Sequence, residues 1–343
     1  MTMDIQISRQ LGTFQLNIAF KAHGVLGLLG PSGSGKSKTL QCIAGIETPD
    51  RGHIAVGQRI FFDDACKVNM PIQDRRVGYL FQQYALFPNM SVAENIACSI
   101  RKRTGRKEKQ AIIASVMQRL HLEGLETHRP FQLSGGQQQR VAMARILVNE
   151  PDILLLDEPF SALDVSLKEQ VMAELMGVLQ QFHKDVILVT HNYEEAYRLC
   201  SSIAVLCNGQ IDVIGRRDDV FAQPRTRTAA SLMGCRNIAA ARKTGVRTVF
   251  VPAWNHEFTV AHDVEDGLCA IGIRDHSFHP DERINAFAVS AVNTLKLPVG
   301  KLVVFRYDEH DGEAPPLVWQ IDHEDEPISM LGVRPEDILL LYR

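Results

Sequence analysis

The chain has 343 residues, 45% hydrophobic and 22% charged, with a formal net charge of −3 at pH 7. That length suggests two domains with ample core, and the charge excludes a bulk electrostatic pull toward nucleic acid. No apolar run approaches the ~18–20 residues of a membrane helix, and residues 1–10 are too polar for a signal peptide.

Residues 3–20 alternate loosely, with Ile5, Ile7, Leu16, Ile18 and Phe20 apolar. This predicts one or two strands. Val25 to Leu29 is a short apolar run that reads as a buried strand, and Lys36 to Ala44 reads as a helix. Between them lies Gly30-Pro31-Ser32-Gly33-Ser34-Gly35-Lys36-Ser37, which fits the phosphate-loop pattern G-x-x-x-x-G-K-[ST] at every fixed position. Strand, glycine loop and helix turn backbone N–H groups inward around a phosphate. Lys36 would reach the β- and γ-phosphates of a nucleotide, and Ser37 would hold Mg²⁺. Phe14 is the aromatic placed to stack on the base; a place in the sheet interior is the alternative.

Further on, 48–52 is a turn, and 53–56, 59–62 and 77–80 read as short strands, the last ending at Phe81-Gln82-Gln83. Ser91 and Glu94 fit a capping box, so a helix starts there. Arg101 to Lys109 is basic and reads as a solvated helix connection. Ile112, Ile113, Val116 and Leu120 share a helical face. Residues 88–149 therefore form an all-helical insert. Ile153 to Leu156 is a strand, Val165 to His183 a helix, and Val186 to Thr190 a strand ending at His191. Asn208-Gly209 marks a hairpin. Strands alternating with helices up to about residue 224 imply a mostly parallel α/β sheet.

After Gln223-Pro224 the pattern becomes strand-like only, in runs at 248–251, 268–273, 287–292, 301–307 and 317–321. The expected domains are 1–228 and a small β domain, 229–343. Within the second, Ile271-Gly272-Ile273-Arg274-Asp275 echoes Leu331-Gly332-Val333-Arg334-Pro335. The echo is either a repeated half-barrel unit or coincidence. The seven cysteines form no C-x-x-C and the twelve histidines no clustered ligand spacing. The thiols read as free in a reducing compartment.

Two more constellations carry chemistry. The strand 153–156 delivers Asp157 and Glu158 to its C-terminal end, where an open α/β sheet places its ligands. Asp157 would hold Mg²⁺ and Glu158 would polarise a water for attack on the γ-phosphate. Ser134-Gly135-Gly136-Gln137 opens a helix. Ser134 and Gln137 can simply cap it, or the glycines and helix end form a second anion cradle. A second cradle makes sense if it serves a nucleotide held by another subunit.

On these residues the chain resembles the ATP-binding subunit of ABC transporters. Leu133 to Gln137 matches that family's signature motif, Gln82 its Q-loop, Ser161-Ala162-Leu163-Asp164 its D-loop and His191 its switch histidine. The resemblance implies an α/β P-loop NTPase cassette with an inserted helical subdomain, followed by an all-β, OB-like (TOBE/MOP-type) domain. It implies ATP and Mg²⁺ as cofactors and a homodimer that sandwiches ATP head to tail. Each site would pair Gly30 to Ser37 of one copy with Ser134 to Gln137 of the other. His191 would contact the γ-phosphate, and Gln82 would sense Mg²⁺. Further partners would be membrane permease subunits and an external solute-binding protein, at the cytoplasmic face of the membrane, with no nucleic acid. Lys38 stands where the family has Ser or Thr at the α-phosphate; its ammonium either contacts that phosphate or points to solvent. Family spacing would put the base-stacking residue near Leu11 instead of Phe14.

The stretch 60–71 and Arg75 to Gln82 resemble the molybdate branch of the oxyanion importers. That implies uptake of molybdate, sulfate or tungstate, with sugar, polyamine or iron import, or a soluble non-transport ATPase, as alternatives. An oxyanion ligand of the C-terminal domain is implied too, with Arg274 and Arg334 as candidate contacts.

Overall fold

The computed structural model describes residues 2–100, 104–161, 163–296, 300–307, 316–321 and 329–342. Arg101 to Arg103 of the basic run, and Ala162, lie outside them. The chain divides into two compact units, Met1–Arg217 and Asp218–Arg343.

In the first unit the elements are β1 (Met3–Leu11), β2 (Phe14–Ala22), β3 (Val25–Leu29), α1 (Lys36–Ala44), β4 (Arg51–Val56), β5 (Arg59–Asp63) and β6 (Val68–Asn69). Next come α2 (Ile72–Arg75), β7 (Val77–Leu80), α3 (Val92–Ala97), α4 (Arg106–Arg119), α5 (Gly135–Leu147), β8 (Ile153–Asp157) and α6 (Val165–Gln181). The unit continues with β9 (Asp185–Thr190), α7 (Tyr193–Leu199), β10 (Ser202–Cys207) and β11 (Gln210–Arg216). Between residues 88 and 149 the described elements are all helical.

Two sheets form. One has the order β11-β10-β3-β9-β8-β7; all its pairs are parallel except the β10/β11 hairpin. Its inner strands β8 and β9 are buried at every residue and apolar except for Asp157, Asp185 and Thr190 at their ends, as expected where helices cover both faces. The hairpin turns at Asn208 (φ 48°) and Gly209 (φ 75°), the left-handed pair that a tight two-residue turn requires. The other sheet, β2-β1-β4-β5-β6, is antiparallel and was not foreseen as separate. One core holds Ile5 and Ile7 of β1, Leu26 and Leu28 of β3, and Leu40 and Ile43 of α1. The helix after the phosphate loop is thus packed between two sheets.

Behind α1 the guanidinium of Arg75 is 1% exposed. Its Nη1 donates to the carbonyls of Cys42 (2.9 Å) and Ile43 (2.8 Å), and its Nε donates to Met70 O (2.9 Å). A cation on the carbonyl end of a helix opposes the helix dipole there. Burial lowers the Arg75 pKa from its ordinary value.

From the unit boundary onward come α8 (Arg217–Ala222), whose first residue still belongs to the first unit, α9 (Arg227–Leu232), β12 (Asn237–Ala240), β13 (Arg242–Lys243), β14 (Thr248–Val251), β15 (His256–Thr259) and β16 (Ala270–Ile273). These are followed by β17 (Phe278–His279), β18 (Phe287–Lys296), β19 (Lys301–Tyr307), β20 (Leu317–Ile321), β21 (Met330–Val333) and β22 (Ile338–Leu341). The expected boundary at 228/229 falls inside α9, whose Ala230 packs with Cys235, Ala270, Leu339 and Leu341.

The strands form small antiparallel sheets, β12-β16-β22, β13-β14-β15 and β17-β21-β18-β19-β20. The echoed segments cross-pair reciprocally. Ile273 faces Ile338 and Gly272 faces Leu339, while Val333 faces Phe278 and Gly332 faces His279. The turn after each echoed arginine is the same as well: Ser277 N–H donates to Arg274 O and Asp337 N–H to Arg334 O, both at 3.0 Å. The echo is a repeated unit with local two-fold character.

Candidate functional site

β3 lies between β10 and β9 and delivers Gly30 at its C-terminal end. A Cβ on Gly30 would stand 2.2 Å from the Leu206 carbonyl oxygen, so only glycine fits. Gly35 caps α1 at φ 104°, and a Cβ there would meet Leu16 Cδ1 at 2.7 Å and Phe14 Cζ at 3.2 Å. Lys36 is buried and folds back across the loop, its Nζ donating to Gly30 O (2.8 Å) and Pro31 O (2.9 Å). Burial lowers its pKa, while Glu158 and Asp157 pull the other way. The Ser34 hydroxyl is buried, with no hydrogen-bond partner among the described residues. A lysine on substitute carbonyls and an unsatisfied hydroxyl are what a loop built for phosphate oxygens would present.

Asp157, 8% exposed, ends β8. Ser37 Oγ donates to its Oδ1 (2.8 Å) and Tyr79 OH donates to its Oδ2 (3.0 Å). Burial holds this carboxyl above its ordinary pKa in spite of both donors. The serine hydroxyl of the loop against a buried carboxylate fits a divalent cation with oxygen ligands.

Glu158 adopts φ 46°, the left-handed region, and its N–H donates to Val189 O (3.0 Å). Strain of this kind collects where a side chain must be aimed. Its Oε1 lies 3.5 Å from Nδ1 of the exposed His191, which follows β9. Gln82 is exposed, two residues past β7. The loop, His191, Glu158 and Gln82 thus emerge at the ends of four neighbouring parallel strands, β3, β9, β8 and β7, the edge where open α/β sheets bind ligands.

A cleft of ≈ 260 Å³ opens on this edge, lined by Leu11, Phe14, Ser32, Gly33, Gly35 to Lys38 and Glu158. Leu11 and Phe14 face each other across the β1/β2 hairpin, so both reach the cleft. Lys38 lines it as well, but its Nζ sits 2.9 Å from Glu47 Oε1, and Arg9 also pairs with Glu47. Thr39 Oγ1 donates to Gly35 O (3.0 Å) inside its own helix.

Ser134 caps α5, accepting from Gln137 N (3.3 Å), while Gln137 Oε1 accepts from Ser134 N (2.9 Å). Cβ atoms on Gly135 and Gly136 would meet Leu163 at 3.1 Å and Val171 at 3.0 Å. These glycines let α5 approach α6 and the segment before it. Residues 134–137 are not among those lining the cleft. Ser161 Oγ donates to Glu158 O (3.0 Å), and Asp164 caps α6 by accepting from Leu167 N (2.8 Å). The sequence reading missed Tyr79 at this site; only the pairing of β7 with β8 reveals it.

In the second unit Arg274 donates to the Phe221 carbonyl, and Arg334 Nε lies 3.6 Å from Glu282. A polar cleft of ≈ 350 Å³ there is lined by Asp263, Glu265 and Glu336 against Arg225 and His262. Arg225 pairs with Glu265 at 3.3 Å. That cleft offers an anion no excess positive charge.

A parallel sheet that presents a phosphate loop, a buried aspartate bonded to that loop and a glutamate beside it defines a nucleotide-binding P-loop ATPase cassette. The chain belongs to the ABC transporter family and is an ATPase of that class. The family's profile, described as "ABC transporter", matches residues 14–161. The sulfate/thiosulfate import ATP-binding protein of Halalkalibacterium halodurans is 33% identical over 90% of this chain and 87% of that one. The spermidine/putrescine import ATP-binding protein of Methylococcus capsulatus is 42% identical over 67% of this chain and 58% of that one. A solved dimeric ATP-binding cassette with ADP and phosphate bound is 29% identical at TM-score 0.53, covering 63% of this chain and 99% of that one.

Proposed function

We propose that this chain is the ATP-hydrolysing subunit of an importer, working as a dimer at the cytoplasmic face of a membrane beside permease subunits and an external solute-binding protein. The observation that carries the reading is Ser37 Oγ on Asp157 Oδ1, with Glu158 next in the chain and His191 3.5 Å from it.

In this reading the backbone of Gly30 to Gly35 cradles the phosphates of ATP, with Ser32 and Ser34 adding hydroxyls. Lys36 exchanges its two carbonyl partners for β- and γ-phosphate oxygens. Ser37 and Asp157 would hold Mg²⁺, which when bound supplies charge neutralisation across the phosphate oxygens. Glu158 accepts a proton from the attacking water, and His191 holds the γ-phosphate. Gln82 reports the state of the site to the permease. Leu11 and Phe14 pack against the base. The motif Ser134 to Gln137 points to a second copy paired head to tail, because one chain alone leaves it outside its own cleft; the dimeric state of the similar cassette supports a dimer. No helix of the described chain is long and apolar enough to cross a membrane.

We infer an inorganic oxyanion as the solute. The sulfate/thiosulfate relative from H. halodurans matches across 90% of this chain, C-terminal unit included. Sulfate, not molybdate, is therefore the first oxyanion to test. A polyamine is the second reading, supported by the 42% identity to the spermidine/putrescine relative. For the C-terminal unit we propose a regulatory or dimerisation role. Its use as an oxyanion sensor would need Arg274 and Arg334 to leave their present partners. The test is reconstitution with permease subunits and a solute-binding protein in vesicles. ATP-dependent sulfate uptake is expected; uptake of spermidine alone would favour the second reading, and ATPase activity that no solute stimulates would argue against transport.

A further inference from the structure

Asp157 is a buried carboxylate with two acceptor oxygens, and each is taken by one hydroxyl: Oδ1 by Ser37 and Oδ2 by Tyr79. In the proposed function the Ser37 oxygen is shared with a cation. Tyr79 is then the donor committed to the carboxylate alone. β7 runs parallel to β8, with Tyr79 opposite Leu155. Side chains two apart on a strand share a face, so Tyr79 stands on the face of Leu155 and Asp157. The phenol ring is itself fixed, stacked on Phe81 with centroids 4.3 Å apart and planes 29° apart. Phe81 precedes Gln82.

We propose that Tyr79 is a positioning residue for the metal-binding carboxylate. Its hydroxyl holds Asp157 Oδ2 and so fixes the orientation in which Oδ1 meets Ser37 and the cation. The Phe81 ring keeps that hydroxyl in place and ties its position to the strand end that leads into Gln82. A residue that merely filled the core would need the ring and not the oxygen. This inference rests on the proposed ATP–Mg²⁺ reading of the site.

The experiment measures ATP binding by the full-length chain, with a fluorescent ATP analogue, across a Mg²⁺ titration and in EDTA. Removing an outer-shell partner of a metal ligand weakens metal affinity about 10- to 100-fold. Tyr79→Phe should therefore raise the Mg²⁺ concentration for half-maximal binding by about tenfold or more, while affinity in EDTA and the melting temperature stay near those of the parent. A parent-like Mg²⁺ requirement, or an equal loss of binding in EDTA, would overturn the role. Should Tyr79→Phe not fold, Phe81→Leu is measured in the same way. A raised Mg²⁺ requirement then supports the role, and a parent-like one overturns it. If the parent itself shows no Mg²⁺-dependent ATP binding, the functional reading fails, and not only this inference.

Discussion

Lys38 Nζ lies 2.9 Å from Glu47 Oε1, and the same carboxylate pairs with Arg9. The ammonium that could have reached the α-phosphate is held by a neighbour on its own chain. Lys38→Thr should leave ATP affinity within about threefold, and Glu47→Ala should tighten binding by freeing the ammonium. Both are read by equilibrium ATP titration. A tenfold loss in Lys38→Thr, about 1.4 kcal/mol, would make the lysine a phosphate ligand.

Arg75 is a buried cation held by the carbonyls of Cys42 and Ile43 at the end of the loop helix. Arg75→Met keeps much of the volume but leaves those carbonyls without their donor. Urea unfolding should show a loss of about 2–3 kcal/mol. A loss below about 0.5 kcal/mol, the size typical of surface changes, would mean that solvent replaces the guanidinium at no cost.

Asp157 carries a pH signature. Its carboxyl is held above the ordinary range by burial. A group whose folded pKa is raised stabilises fully below its unfolded value and loses that contribution as pH rises through the folded value. Asp157→Asn removes the titration. In EDTA, the melting temperature of the variant relative to the parent should be unchanged near pH 3, below the ordinary aspartate value. It should increasingly favour the variant as pH rises toward 7, because the parent loses the contribution of its raised carboxyl. A relative stability that does not vary with pH would contradict the desolvation assignment.

The two compact units meet in sequence at Arg217/Asp218. A chain ending at Arg217 contains every residue of the nucleotide cleft, and it should fold and bind ATP with parent affinity. A chain ending near Ser231 would keep part of α9 without Cys235, Ala270, Leu339 and Leu341, on which Ala230 packs, and should be the less soluble of the two. Circular dichroism and ATP titration check both. Loss of ATP binding in the shorter chain would show that the second unit supports the site.

Much of this was legible in the sequence where the chemistry is local. The phosphate loop, the capping boxes at Ser91 and Ser134 and the turn at Asn208-Gly209 are each fixed by residues a few positions apart, and each is present. Contacts between distant positions were not legible. Tyr79 reaches Asp157 only because β7 and β8 are neighbours in the sheet, and nothing in either segment encodes strand order. The separate antiparallel sheet was hidden for the same reason. Glu47 as the partner of Lys38 lies beyond the end of α1 and outside any motif. The echo at Arg274 and Arg334 could be read as a pattern, but its meaning came from the reciprocal register of β16 with β22 and of β17 with β21.

In the proposed function this chain hydrolyses ATP with Glu158 as the group that activates water. The most direct measurement is steady-state ATP turnover of the parent and of Glu158→Gln, with nucleotide binding and oligomeric state followed in parallel. Turnover in the variant should be lower by ~10²-fold or more, with ATP still bound and an ATP-dependent dimer accumulating. Parent-like turnover in Glu158→Gln would contradict it.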